Sequence, residues 1–261
     1  MWRHLYHVDY AIHKGFLVIL SSDFKGIRHF FIPLGLNNNG LREVVDDMIA
    51  WSFERKEDFR MISLTDKMLL ELGFLGPDFI ISPPEVWDYV YNADDLIYLK
   101  GKKFHAKRNH INKFNNLYKY EYKDLEQKHI PACLELLDAW AAENGFTNSV
   151  AIDDLANREA LVNFKQIKMT GGCLFVDGNL AAYSLGQPVN KETYAIHTEK
   201  ALYRYEGVYS KINQLFAERN CKGYKYINRE DDMGLEGLRK SKMSYYPVLL
   251  LNKHTGVLPY A

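Results

Sequence analysis

Apolar residues dominate 5–12, 16–21 and 27–34, with turn residues at Lys14-Gly15 and Lys25-Gly26 between the runs. Short apolar runs with such breaks predict an antiparallel meander. Asn37-Asn38-Asn39-Gly40 ends it, and the spacing then changes. Val44, Val45, Met48 and Ile49 share one face at helical spacing, which predicts a helix over 41–53. A strand over 59–64 follows, then a helix as far as Leu72 that Thr65-Asp66 can cap. Gly73, Gly76-Pro77 and Pro83-Pro84 read as turns. Between 92 and 119 the pattern predicts one or two helices, with Asp94-Asp95 near the first N-terminus and Gly101 as the break. Beyond it the elements are more regular: a strand over 118–125, helices over 126–143 and 153–169, and strands over 173–176, 180–188 and 193–199. A helix over 207–219, a strand over 224–228, a helix over 234–243 and a strand over 245–251 complete the order.

Composition narrows the classes of protein rather than the fold. With 261 residues and 47% hydrophobic content the chain can fill one large core or two ordinary ones. Lysine plus arginine equal aspartate plus glutamate at 33 each, so an anionic partner has to be met by a local patch and not by a global field. Cys133, Cys173 and Cys221 lie far apart without a C-x-x-C, the pattern of buried reduced thiols and not of a zinc site or disulfide framework. No apolar run approaches the roughly 20 residues that span a bilayer. Met1-Trp2-Arg3-His4 opens no signal peptide, so the expectation is a cytoplasmic chain without a transmembrane segment.

Four places can carry chemistry. The order from 118 onward, β-α-α-β-β-β-α-β-α-β, resembles the acyl-CoA N-acyltransferase fold, and the first place is the strand-to-helix passage Arg204-Tyr205-Glu206-Gly207-Val208-Tyr209-Ser210. A helix start offers unpaired N–H groups to a phosphate, and glycine lets the backbone approach it. Arg204 and Gly207 fit the loop of that fold, while Tyr209 stands where it keeps a small residue and Ser210 follows. A glycine helix start beside a solvated arginine is the plain alternative. On this reading Gly207→Asp abolishes donor binding and leaves the fold intact.

The second place is the strand 193–199, where alternation puts Ala195, His197 and Glu199 on one face and Tyr194, Ile196 and Thr198 on the other. His197 beside a carboxylate can take a proton from an attacking amine or hydroxyl, or can be a hydrogen-bonded structural histidine. The third is Asn228-Arg229-Glu230-Asp231-Asp232 at the end of a strand, placed either for an acceptor substrate or as a solvated loop before a helix. The fourth is a run without acids over 96–120 that holds Lys100, Lys102, Lys103, Lys107, Arg108, Lys113 and Lys119. A solvated helix face explains such a run, and phosphate binding rivals it; Lys107 falls inside the apolar stripe of Phe104, Ile111, Phe114 and Tyr118, where its charge must snorkel or meet an anion.

The runs from Asp88-Tyr89-Val90 to Asp94-Asp95-Leu96 and from Leu99-Lys100-Gly101 to Asn112-Lys113-Phe114, with Val176-Asp177-Gly178, His197-Thr198-Glu199-Lys200-Ala201, Tyr226-Ile227-Asn228-Arg229-Glu230-Asp231-Asp232 and Gly234-Leu235-Glu236-Gly237-Leu238-Arg239-Lys240-Ser241-Lys242, resemble a bacterial family of unknown function. That family is similar to the cytosolic C-terminal domain of phosphatidylglycerol lysyltransferases. The resemblance implies two acyl-CoA N-acyltransferase-like modules in tandem, as in enzymes that move an amino acid from aminoacyl-tRNA to a lipid or peptidoglycan precursor. Relatives carry an opening strand and helices before the segment resembling Trp2-Arg3-His4-Leu5-Tyr6, so a shortened N-terminal module is expected. The membrane part of the lysyltransferases has no counterpart here.

Taken together, the sequence reads as an α/β (α+β) protein of mixed, mostly antiparallel sheets flanked by helices. It is divided into a shortened acyltransferase-like module over 1–92, a basic helical connector over 93–117 and an acyltransferase-like module over 118–261. The expected activity is transfer of an acyl or aminoacyl group to an amine or hydroxyl acceptor, from aminoacyl-tRNA in preference to an acyl-CoA, with no covalently bound cofactor and no metal. Arg204, Gly207, Tyr209 and Ser210 are expected at the donor phosphates, His197 and Glu199 at the proton, and Asn228, Arg229, Glu230 and Asp231 on the acceptor side. Lys103, Lys107, Arg108 and Lys113 form the basic patch for tRNA. An acyl-CoA-dependent small-molecule acetyltransferase and a non-catalytic binding module on the same fold are the alternatives. No motif names the acceptor or the oligomeric state.

Overall fold

The computed structural model describes residues 6–23, 25–82, 86–145 and 147–260. The expected features at Trp2-Arg3-His4-Leu5 and at Pro83-Pro84 lie outside the described residues. Two compact units emerge, one of Tyr89–Leu250 and the other of the described residues before Tyr89 together with those after Leu250.

In the second of these, β1 (His7–His13) and β2 (Phe16–Ser22) pair antiparallel through a two-residue turn, Lys14 and Gly15, both at positive φ. That turn has the twist of the strands it joins. The third strand is shorter than the expected 27–34: β3 covers only Arg28–Phe30, and Leu34 makes an isolated bridge to Leu17. The helix α1 (Leu41–Glu54) buries Leu41, Val44, Val45 and Met48, the stripe its spacing predicts, in a core with Phe16, Phe30, Phe59 and Met61. β4 (Phe59–Leu64) leads into α2 (Asp66–Glu71), whose first turn is capped by Thr65 accepting from Met68 N. A two-residue strand, β5 (Ile80–Ile81), follows.

The other unit starts with an element the sequence pattern does not announce. β6 (Val86–Asn92) buries Asp88, Tyr89, Val90 and Tyr91 in succession, so no alternation marks it. α3 (Ala93–Tyr98) and α4 (His105–Leu117) flank the expected break, where Leu99 and Gly101 take positive φ. Both helices belong to the Tyr89–Leu250 unit and do not form a separate connector. Then come β7 (Tyr120–Asp124), α5 (Ile130–Asn144), α6 (Asn148–Asn163), β8 (Thr170–Val176), β9 (Asn179–Pro188), β10 (Thr193–Ala201), α7 (Val208–Asn220), β11 (Tyr226–Asn228) and α8 (Glu236–Met243). The sheet runs in the order β6-β11-β10-β9-β8-β7, and within it only β10 and β11 are parallel. Phe216 and Ala217 of α7 pack with Tyr194, Ile196 and Ile227, while Cys133, Leu137 and Leu161 of α5 and α6 pack with Tyr183 and Leu185. All three cysteines are buried and free.

The last strand departs from expectation in partner as well as length. β12 (Leu249–Leu258) pairs antiparallel with β4, His254 opposite Leu64 and Val257 opposite Arg60, and with β5 through Gly256 and Val257. It completes the sheet of the unit that holds β4, so the module expected over 118–261 does not keep its final strand. No helix among the described residues is long and apolar enough to cross a membrane.

Candidate active site where two parallel strands part

β10 and β11 pair at Thr193–Tyr226, Tyr194–Ile227 and Ala195–Asn228, and there β11 ends while β10 continues to Ala201. At the fork β10 carries a bulge: Ile196 faces Gly186 and Thr198 faces Leu185, leaving His197 as the extra residue. A bulge re-aims side chains and resets the alternation after it. Tyr194 and Ile196 pack with Phe216 of α7, and past the bulge Glu199 takes a hydrogen bond from Asn213 on the same helix, at 2.9 Å. Thr198 and Lys200 turn the other way, to Asn157 and Asp153 of α6. The strict alternation expected for 193–199 therefore fails at His197, and His197 and Glu199 do not form one acid–base pair.

His197 pairs instead with Glu230, its Nδ1 2.6 Å from Oε1. A carboxylate on Nδ1 holds the ring proton there and leaves Nε2 with its lone pair free. Nε2 is buried and has no hydrogen-bond partner among the described residues. Glu230 is held in place by its surroundings: its φ is +54°, a sparsely populated conformation for a side chain of this size. Its N–H donates to Asn228 Oδ1 at 2.7 Å, and the ammonium of Lys242 donates to the carbonyls of Arg229, Glu230 and Asp231. Burial, with Arg229 next, pushes Lys242 down to about 8 against the pull of Asp231, Glu230 and Glu199.

Glu199 is spent on Arg229, 2.5 Å away, and both are nearly enclosed. The guanidinium lies 5.0 Å from the centroid of Tyr245. Burial opposes its charge, but Glu199 more than offsets that, so the pKa of Arg229 is raised. Of the residues expected on the acceptor side, Asn228 and Asp231 make local turns, with Asp231 accepting from Met233 N, and Arg229 is a buried ion-pair partner. Asp232 accepts from Tyr89, Arg239 and the N–H of Gly234; the Arg239 guanidinium beside it holds its carboxyl down to about 2.

A second feature adjoins this cluster. An open cavity of about 340 Å³ at the start of α7 is lined by Lys107, His110, Tyr203, Tyr205, Glu206, Gly207, Val208, Tyr209 and Ser210. It gathers three of the four residues expected at the donor phosphates, and Arg204 lies beside it with its guanidinium over the Tyr205 ring. Tyr209 fills the expected small position with a half-buried ring whose hydroxyl accepts from Trp140 Nε1 at 3.0 Å.

Gly207 has φ +82°, and a Cβ there would lie 2.3 Å from the carbonyl oxygen of His110 on α4. The glycine is thus required by helix packing. Gly207→Asp cannot leave the fold intact, contrary to the sequence expectation. Gly207→Ala should combine about 1–2 kcal/mol for left-handed backbone with about 1–3 kcal/mol for overpacking. Urea unfolding measures it, and wild-type stability would refute the packing role.

Two cations of the basic run meet carboxylates from outside it and a third meets carbonyls within it. Lys103 bonds Asp95 at 3.1 Å, Arg108 donates to the carbonyls of Leu99 and Gly101, and Lys113 pairs with Glu206 at 2.6 Å. A continuous free patch of Lys103, Lys107, Arg108 and Lys113 does not form. Sequence reasoning gave no role to Lys242, Asn213, Tyr245 or Trp140, and of these only Lys242 stands in a stretch that carries the family resemblance.

A parallel strand pair that parts beside a helix start, in a mixed and mostly antiparallel sheet, is the architecture of GNAT-like acyltransferases. The chain is similar in fold to a tandem GNAT protein from the clavulanic acid biosynthesis pathway, at 10% identity with 94% of this chain and 79% of that one covered and a TM-score of 0.52. Residues 1–254 match the phosphatidylglycerol lysyltransferase C-terminal family, and the chain belongs to it. A conserved protein of unknown function from Bacteroides thetaiotaomicron is 38% identical over 98% of this chain and 88% of its own, with a TM-score of 0.92. The L-PGS from Bacillus licheniformis is 14% identical over 96% of this chain and 83% of its own, with a TM-score of 0.70.

Proposed function

We propose that the Tyr89–Leu250 unit transfers an acyl group to an amine or hydroxyl, with aminoacyl-tRNA as the favoured donor. The observation that carries the reading is the His197–Glu230 pair on a bulge at the fork of β10 and β11, with its second ring nitrogen buried and unpartnered. In the proposed step the acceptor's lone pair attacks the donor's ester carbonyl while Nε2 of His197 takes the acceptor proton. The carbon–oxygen ester bond then breaks and His197 returns the proton to the leaving hydroxyl. Glu230 fixes the tautomer and steadies the imidazolium that forms. Family membership and the filled position of Tyr209, which crowds a coenzyme A pyrophosphate, support the tRNA-linked donor.

The helix start beside the cavity favours one second reading, an acyl-CoA donor. Both are tested by incubating the protein with labelled aminoacyl-tRNA or acetyl-CoA, offering hydroxylamine and phosphatidylglycerol vesicles as acceptors. Discharge of aminoacyl-tRNA faster than the protein-free rate supports the first reading, and discharge of acetyl-CoA alone supports the second. No acceleration with either donor leaves a binding module.

A further inference from the structure

Lys242 is a buried cation that the acyl-transfer step does not use. An ammonium carries three N–H donors, and Nζ of Lys242 meets three carbonyls, those of Arg229 at 2.6 Å, of Glu230 at 3.3 Å and of Asp231. No donor is left for a substrate. The main chain of the same residue is pinned as well, since its carbonyl accepts from the Tyr91 hydroxyl at 2.9 Å. Three successive carbonyls turned toward one point repel one another unless positive charge sits among them. The turn they belong to is the one that holds Glu230 at φ +54° and brings its carboxylate to His197. β6 grips that turn from the other side, with Tyr89 N–H donating to the Glu230 carbonyl at 3.1 Å and Arg229 N–H to the Tyr89 carbonyl at 3.0 Å.

We propose that Lys242 is a positioning residue: in its charged form it fastens the 229–231 turn so that Glu230 keeps the Nδ1 proton of His197, and loss of the charge releases that pair. The inference rests on the acyl-transfer reading for its effect on a rate, though not for the state of His197. Arg229, Glu230 and Asp231 face the ammonium from the turn, Glu199 from β10, and the rings of Tyr89 and Tyr91 from β6. Arg239, on the same helix, is engaged by Asp232. Burial and then Arg229 favour the neutral amine, Asp231, Glu230 and Glu199 favour the ammonium, and the balance falls at about 8. Below that pH the ammonium serves all three carbonyls. Above it an amine with two N–H groups serves two at most and brings no charge. The His197–Glu230 pair is therefore held below about pH 8 and loosens as pH rises through that value.

The ring ¹⁵N shifts of His197, read by NMR through its carbon-bound protons and assigned by their absence in His197→Ala, report which nitrogen holds the proton. In wild type Nδ1 should keep it up to about pH 8 and share it with Nε2 above, with the midpoint at the Lys242 titration. Lys242→Met should show the shared state already at neutral pH and no change on going to alkaline pH. Lys242→Gln, which keeps two N–H donors without charge, should match wild type on the alkaline side at every pH. A lysine with a merely structural role would lower the urea midpoint of Lys242→Met and leave the His197 ring as in wild type, and that result overturns the proposal. So does a wild-type ring whose Nδ1 keeps its proton unchanged through the alkaline titration, a measurement that needs no variant to fold. A ring that follows Lys242 in a protein without acyl transfer keeps the positioning role and sinks the acyl-transfer reading. Transfer with a ring indifferent to Lys242 does the reverse.

Discussion

His197→Ala is expected to lower the rate of the chemical step by about 10²- to 10⁴-fold, the usual contribution of a positioned acid–base group, while donor affinity changes by less than about threefold. The reason is geometric. Nε2 is the free, buried nitrogen at the fork, and its proton-accepting state is set by Glu230 at 2.6 Å. A base acts in the transition state and contributes little to holding the donor before it. Single-turnover rates with donor in excess, beside a direct donor titration, separate the two effects. Glu230→Gln keeps a hydrogen bond but removes the charge, so its rate should fall between wild type and His197→Ala. Turnover unchanged in His197→Ala would return the histidine to a structural role.

Glu199→Ala should act in the opposite way, through stability and only secondarily through rate. Removing one member of a buried ion pair costs about 3–5 kcal/mol, because the remaining charge stays buried without compensation. Among the described residues Arg229 has no other carboxylate partner, and its Nη1 is buried without a hydrogen-bond partner. Chemical denaturation at pH 7 should show the loss. The double variant Glu199→Leu with Arg229→Met should recover much of it, since apolar groups of similar volume often replace a buried pair at little cost. A single variant as stable as wild type would show that solvent reaches Arg229 and that the pair is not a structural one.

The sequence carried the second half of the fold well, for an identifiable reason. Its helices bury one face and its hairpins turn at residues such as Asp177-Gly178, so period and punctuation coincide. β6 was illegible because four successive buried residues have no period, and the partner of β12 was illegible because alternation marks a strand but not its neighbour. At the site, the pairing of the side chains was not legible in the sequence. One extra residue at the bulge moved Glu199 to α7 and gave His197 to Glu230. Lys107 was singled out by its place in an apolar stripe, and it lies inward as that place implies. The other cations were counted as a patch, although Asp95 and Glu206, just outside the acid-free run and distant in the chain respectively, neutralise two of them.

The pairing of β12 with β4 also sets an order of completion. Residues 251–258 follow the Tyr89–Leu250 unit in the chain, yet they cover the edge of a sheet whose other strands precede that unit. Until then β4 presents unpaired N–H and C=O groups, the kind of edge on which chains aggregate. The Tyr89–Leu250 unit has all of its own strands earlier and can close ahead of the segment that precedes it. A nascent chain stalled short of Leu251 would hold a complete Tyr89–Leu250 unit and a preceding sheet with an open edge.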